Sequence, residues 1–362
     1  GGAAAAALAG HRSLLVRTGV ADLPLHGGAV PRWLFARMRA LAREILRALA
    51  LEFGPGGVLA RLADPFWFQS LGCLLGFDWH SSGLTTATGA ALRDALEQVG
   101  PELGLFAAGG KGRAARQTPR DIERWGRWLR GDGGELVRAS RLVAKVDSCA
   151  LQDGYQLYHH LILFTADGQW AVVQQGMNPE MGYARRYHWL SEGMDSFVCE
   201  PHRAVICPRR GRVLNLVAAE SAPARQAVVE LSREHPQRLG RELALYLRLP
   251  RSDARLRRLE RTMALAFERR PEGLEELLEV EGVGPKTVRA LCLLAELLYG
   301  TPASTRDPAR YSFAHGGKDG RPFPVDRELY DRTVEALRRA VEAARIGRAE
   351  KLAALRKLAA LA

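Results

Sequence analysis

The stretch Leu277-Leu278-Glu279-Val280-Glu281-Gly282-Val283-Gly284-Pro285-Lys286-Thr287-Val288-Arg289-Ala290-Leu291 leaves its backbone few choices. Leu274, Leu277 and Leu278 recur at helical spacing before it, and Val288, Leu291, Leu294 and Ala295 after it. Between the two apolar faces, Gly282 and Gly284 free the backbone and, having no Cβ, let another backbone approach closely. Pro285 suits the first turn of the next helix, where its missing N–H costs nothing. The chain here reads helix, tight hairpin, helix. The N–H groups at the second helix start lack intrahelical partners and suit an anion, with Lys286 adding charge beside them.

This string, an apolar residue followed by Gly-Val-Gly-Pro-Lys-Thr and an apolar helix, resembles the helix-hairpin-helix motif of DNA repair proteins. The resemblance implies a grip on DNA phosphates that reads no bases, through Gly282, Gly284, Lys286 and Thr287. Net charge agrees: 52 Lys and Arg against 40 Asp and Glu give +12, as a nucleic-acid partner favours. A merely soluble basic surface is the plainer reading of charge alone, and the hairpin weighs against it. A membrane partner is not expected, because no run approaches the roughly 20 apolar residues of a span. The opening Gly-Gly-Ala-rich stretch lacks the charged start of a signal peptide. The five cysteines are scattered and odd in number, which argues against a disulfide framework and for a reduced, cytoplasmic setting.

With 362 residues the chain has room for several cores. The fold class expected is α+β: a disordered N-terminus over 1–13, an α/β domain over 14–130, a strand-rich domain over 131–216, a helical hairpin domain over 217–310, and a loop with a final helix over 311–362. Pro31 opens a helix running to about Phe53, stopped by Gly54 to Gly57. Strands are expected at Leu103–Ala108, Leu142–Cys149, Gln156–Thr165 and Gln169–Gln175. Asp326–Ala362 reads as one helix with Ala and Leu at coiled-coil-like spacing, hence an expected homodimer.

Three stretches carry candidate chemistry. Gly109-Gly110-Lys111-Gly112-Arg113 joins an expected strand to a helix, a turn able to offer N–H groups to phosphate while Lys111, Arg113 and Arg116 neutralise it. It resembles the Gly-x-Arg-Arg loop of ParB/sulfiredoxin-type domains, departing from it where Lys111-Gly112-Arg113 replaces the paired arginines. Asp78-Trp79-His80-Ser81-Ser82 gathers carboxylate, imidazole and hydroxyls, with His26 able to join from a neighbouring loop; as plain structure, Asp78 and Ser81 are helix caps. In the strand-rich middle, Asp147, Asp153 and His160 form a second constellation, with Tyr158 expected on the face of His160 and His159 opposite. Asp78, His80, Asp147 and Asp153 are thus candidate ligands for Mn²⁺ or Mg²⁺, with no organic cofactor expected. Restriction-type nucleases carry an acid and a lysine where this chain has Gln174 and Gln175, and a satisfied polar network is an equal reading there. Cys199 and His202, with Cys207 and His188 near in sequence, have zinc-like spacing but lack a second Cys-x-x-Cys-type pair.

Arg17 to Gly28, Phe77 to Gly83 and Gln152-Asp153-Gly154-Tyr155 resemble strings of a domain-of-unknown-function family of archaea and bacteria, over about residues 14–340. That resemblance implies a DNA-associated protein, and a structure-dependent nuclease built on a ParB/sulfiredoxin-like domain. The function expected is therefore a metal-dependent nuclease acting on single-stranded or distorted DNA, with Trp79, Trp125 and Trp128 available to stack on unpaired bases. Two alternatives stand beside it: a helix-hairpin-helix base-excision glycosylase using Lys286 and Asp307, and a non-catalytic DNA-repair scaffold.

Overall fold

Met38, Ala42, Ile45, Leu46 and Leu49 are buried at three- and four-residue spacing along α1 (Arg32–Ala63). The expected stop at Gly54 is a kink: Gly54 takes φ +70°, a conformation open to glycine, and the helix resumes through Pro55. The computed structural model describes residues 23–25, 30–77, 80–250, 252–309, 327–344 and 347–361. Helix α2 (Pro65–Leu75) starts where the Asp64 carboxylate accepts a hydrogen bond from Trp67 N at 2.8 Å. Helix α3 (Ser82–Leu103) is capped by Ser81, whose hydroxyl accepts from Gly83 N at 3.1 Å.

The chain then enters strand β1 (Leu105–Lys111), helix α4 (Arg113–Trp125) and helix α5 (Gly133–Lys145). A single π-turn, Val146–Ala150, follows α5. Here the expected strand over 142–149 is corrected. Leu142, Val143, Val146 and Asp147 are buried while Arg141 and Ser148 are exposed, a helical rather than an alternating pattern; the β-branched valines carried the misleading signal.

Strands β2 (Leu151–Gln152), β3 (Gln156–Thr165), β4 (Trp170–Asn178), β5 (Tyr183–Leu190), β6 (Ala204–Ile206) and β7 (Leu214–Asn215) complete the β structure. The main sheet is antiparallel in the order β1-β3-β4-β5-β6, and β2 pairs with β7 apart from it. One sheet thus spans the segments expected as separate α/β and strand-rich domains, because β1 lies against β3 from Leu105↔Thr165 to Lys111↔His159.

Both sheet faces are covered, so its strands read as near-continuous apolar runs. Leu161, Leu163, Ala171 and Val173 face α1 to α3. Phe106, Ile162, Phe164, Val172 and Trp189 face the other way, into a core shared with α6 (Ala222–Ser232), α7 (Pro236–Tyr246), α8 (Ala254–Arg269), α9 (Leu274–Glu279) and α10 (Pro285–Tyr299). The expected final helix is two, α11 (Arg327–Ala343) and α12 (Arg348–Leu361). Ala336, Leu337, Ala340, Val341 and Ala354 return to the core of α1 and α2, so this part of the apolar stripe read as a dimer contact packs within the chain.

Candidate functional site

Two polar rows cross the apolar sheet. In register, His160 lies opposite Gln174 and Gln174 opposite Tyr187; one residue along, His159 lies opposite Gln175 and Gln175 opposite Arg186. Strand alternation sends the first row toward α5 and the second toward α1 to α3. A bulge between Leu157 and His159 breaks that alternation at Tyr158. Tyr158 therefore meets Gln175, whose Nε2 donates to its hydroxyl, rather than sharing the face of His160 as its spacing suggested.

The α5 row forms a chain of hydrogen bonds. Ser140 Oγ lies 2.8 Å from His160 Nε2, and His160 Nδ1 lies 2.7 Å from Gln174 Oε1. Gln174 Nε2 donates to Asp147 Oδ2, which also accepts from Trp189 Nε1 at 2.9 Å; Asp147 Oδ1 pairs with His202 Nε2. The directions follow from Asp147, an acceptor that fixes the Gln174 amide with NH₂ toward itself and Oε1 toward His160. Nδ1 must then carry the imidazole proton, which leaves the Nε2 lone pair facing the Ser140 hydroxyl. Burial lowers the His160 pKa, against the opposing pull of Gln174 and Asp147, so the ring is neutral at neutral pH. The π-turn places Asp147 at this spot: its extra residue rolls the carboxylate inward, where it is 1% exposed.

This chain ends at the floor of a cleft of about 610 Å³, walled by Arg116 and Thr118 of α4, Ser140 and Arg141 of α5, and Tyr158 and His160 of β3. Exposed Arg141 also borders a second cleft of about 800 Å³, with Arg138, Lys145, Arg269 and Glu279, leading toward the hairpin. Lys111, Arg113 and Arg116 are exposed near the first cleft. Two of the glycine-loop N–H groups expected to meet phosphate are used internally: Gly109 N donates to Asp121 at 3.2 Å and Gly112 N to Tyr158 O at 2.7 Å.

At the hairpin, Gly282 turns at φ +80° beside Thr262, and Val280 and Val283 are buried. Lys145 Nζ donates to Val283 O, tying the hairpin to α5. Gln152 clamps the start of α10, donating to Pro285 O at 2.9 Å and accepting from Arg289 Nε at 2.9 Å. Gly282 and Lys286 are exposed and Gly284 half-buried, but Thr287, expected as a contact, is buried.

The other expected site residues part company. Asp153 accepts from Arg185 at 2.9 Å and Tyr187 at 2.6 Å, in a network separate from that of Asp147. Asp307 takes Arg185 in two bonds of 3.0 and 2.8 Å and also accepts from Gly211 N and Ala309 N. Burial works against the Arg185 charge, but Asp153, Tyr187 and Asp307 outweigh it and hold its pKa well above the usual arginine value. With their oxygens engaged, Asp147 and Asp153 fit a metal poorly, and Asp307 is equally occupied as a partner for glycosylase chemistry. Among the described residues no group of three His, Cys, Asp or Glu side chains could hold a metal ion. His80 is exposed before α3, while His26 and Asp78 lie outside the described residues. Cys199 is exposed but His202 turns inward to Asp147, so the zinc spacing does not assemble. Trp125 is buried with its Nε1 on Ala107 O at 3.1 Å, and Arg127 covers Trp128 at 3.7 Å, so both are spent on packing. Trp79 lies outside the described residues.

Ser140, Arg141 and Lys145 escaped the sequence reading because their segment was read partly as strand. A helical reading would have flagged Ser140, a polar residue inside the buried face Leu136, Val137, Val143.

No helix among the described residues is long and apolar enough to cross a membrane. No curated protein and no solved structure matches the chain. Residues 19–325 match the family described as "Protein of unknown function (DUF763)", and the chain belongs to that family.

Proposed function

We propose that this protein binds DNA along its backbone, without reading bases, across a basic face running from the hairpin to the cleft below His160. One observation carries the reading: a single helix, α5, ties the two ends together. Its Lys145 holds the base of the hairpin, and its Arg141 borders both clefts. The hairpin exposes Gly282 and Lys286, and the far end of the face exposes Lys111, Arg113 and Arg116. Here the likeness to a ParB/sulfiredoxin loop rests mainly on side-chain charge, since the amides of Gly109 and Gly112 are engaged. Single-stranded or distorted DNA, whose unpaired backbone can follow the two clefts of about 610 and 800 Å³, suits this face.

Fluorescence anisotropy with single-stranded, duplex and bubble DNA over a salt series tests the proposal. Affinity is expected to fall steeply with salt and to vary little with sequence. Lys286→Ala and Arg141→Ala should each weaken binding to all sequences alike and lower the slope of log K against log salt by about one. Salt-insensitive binding, or wild-type affinity in both variants, would overturn it.

A further inference from the structure

We propose that Ser140 is the nucleophile, and His160 its base, of a phosphodiester-cleaving site at the floor of the 610 Å³ cleft; this rests on the DNA-binding reading above. The geometry is that of an activated hydroxyl. Ser140 Oγ stands 2.8 Å from an imidazole nitrogen that must present its lone pair, because the other nitrogen is committed to Gln174 and Gln174 to Asp147. Ser140 is 3% exposed and His160 6%, so bulk water competes little for either. Arg116 and Arg141 line the same cleft and supply the positive charge that a phosphoryl group acquiring negative charge requires. Gln174 and Asp147 are positioning residues: they act by choosing the tautomer.

In the first step the Ser140 proton passes to His160 Nε2 while Oγ forms a bond to phosphorus. The bond from phosphorus to the nucleoside oxygen in line opposite Oγ breaks, and that oxygen takes a proton from the water that enters its place. The hydroxide so formed attacks the Ser140–DNA phosphodiester from that side. The Oγ–P bond breaks, Oγ takes back the proton from Nε2, and a phosphomonoester remains on the second DNA end. The sum is hydrolysis of one phosphodiester by one water, using groups of this chain alone.

The test incubates the full chain with end-labelled single-stranded and bubble DNA, with EDTA and separately with Mg²⁺, and quenches into denaturant. Expected are cleavage that persists in EDTA and a covalent DNA adduct mapped to Ser140 by mass spectrometry. Ser140→Ala should abolish both while keeping the far-ultraviolet circular dichroism and the DNA affinity of the wild type. His160→Gln should slow cleavage by about 10²- to 10⁴-fold. Asp147→Asn, which frees Gln174 to turn over, should lower the rate and alter its pH profile, a change that mere loosening of the fold would not produce. Cleavage by Ser140→Ala at the wild-type rate overturns the proposal, as does wild-type protein that binds DNA but neither cleaves it nor forms the adduct. Absence of DNA binding removes the reading beneath it as well.

Discussion

Arg185 holds two carboxylates at once, with its guanidinium 4.4 Å from the centre of the Tyr155 ring. A charge this deep is tolerable only while its partners stay in place, since removing one strands the remainder. Asp307→Asn should therefore destabilise the protein by about 3 kcal/mol or more, as measured by urea unfolding, while leaving Ser140 and His160 untouched. Gly109 makes a second demand at this scale. At φ +94° an added Cβ would sit 2.3 Å from His160 O and 2.7 Å from Thr118 Oγ1, and the first of these is backbone that cannot swing aside. Gly109→Ala should cost at least about 2 kcal/mol and displace the strand carrying His160, so the same unfolding measurement and the DNA-cleavage assay should fall together. Asp147, Asp153 and His160 stood out in the sequence because polar side chains inside apolar runs need partners. Arg185, the partner of Asp153, did not, because the two meet across 32 positions that no local pattern links.

At the scale of elements, α5 and the π-turn after it organise the site. One face of the helix sets Ser140 against the sheet, its end sets Lys145 against the hairpin, and the turn rolls Asp147 beneath Gln174. Lys145→Met keeps the side-chain stem but loses the bond to Val283 O. Faster amide exchange is expected over 280–287 with little change in β3 and β4, together with weaker DNA binding; unchanged exchange there would mean the hairpin is held by its buried valines alone. The hairpin was legible because glycine, proline and helical periodicity agree on one conformation. The segment over 142–149 was not, because a short apolar run rich in valine satisfies strand and helix templates equally until the sheet claims its partners. The sharing of β1 with β3 was likewise hidden, since antiparallel pairing across some 50 residues leaves no local mark.

For the whole molecule, one sheet divides two cores, and histidines are buried on both of its faces. His159 and His188 lie toward α1 to α3 and His160 toward α5, and burial lowers all three pKa values, that of His159 to about 3. Above pH 6.5 these rings are neutral in both the folded and the unfolded chain, and they add no pH dependence. Below it the unfolded chain takes up protons that the folded chain refuses, so stability must fall as pH falls. Each such ring contributes up to about 1.4 kcal/mol per pH unit, until the folded protein itself protonates. Most carboxylates titrate lower; Asp153, raised by burial, takes up its proton more readily in the folded chain and so opposes this fall rather than adding to it. Urea unfolding from about pH 6.5 to 5 should give a slope of between one and three protons, against a nearly flat profile from pH 7 to 8. His159→Gln should remove about one proton from the slope, because neither ring nitrogen of His159 has a hydrogen-bond partner among the described residues. Because strands of the one sheet contribute to both cores, the loss should come as a single transition seen alike by tryptophan fluorescence and far-ultraviolet circular dichroism. Two separated transitions would mean that the helices α1 to α3 come away before the sheet and the hairpin do.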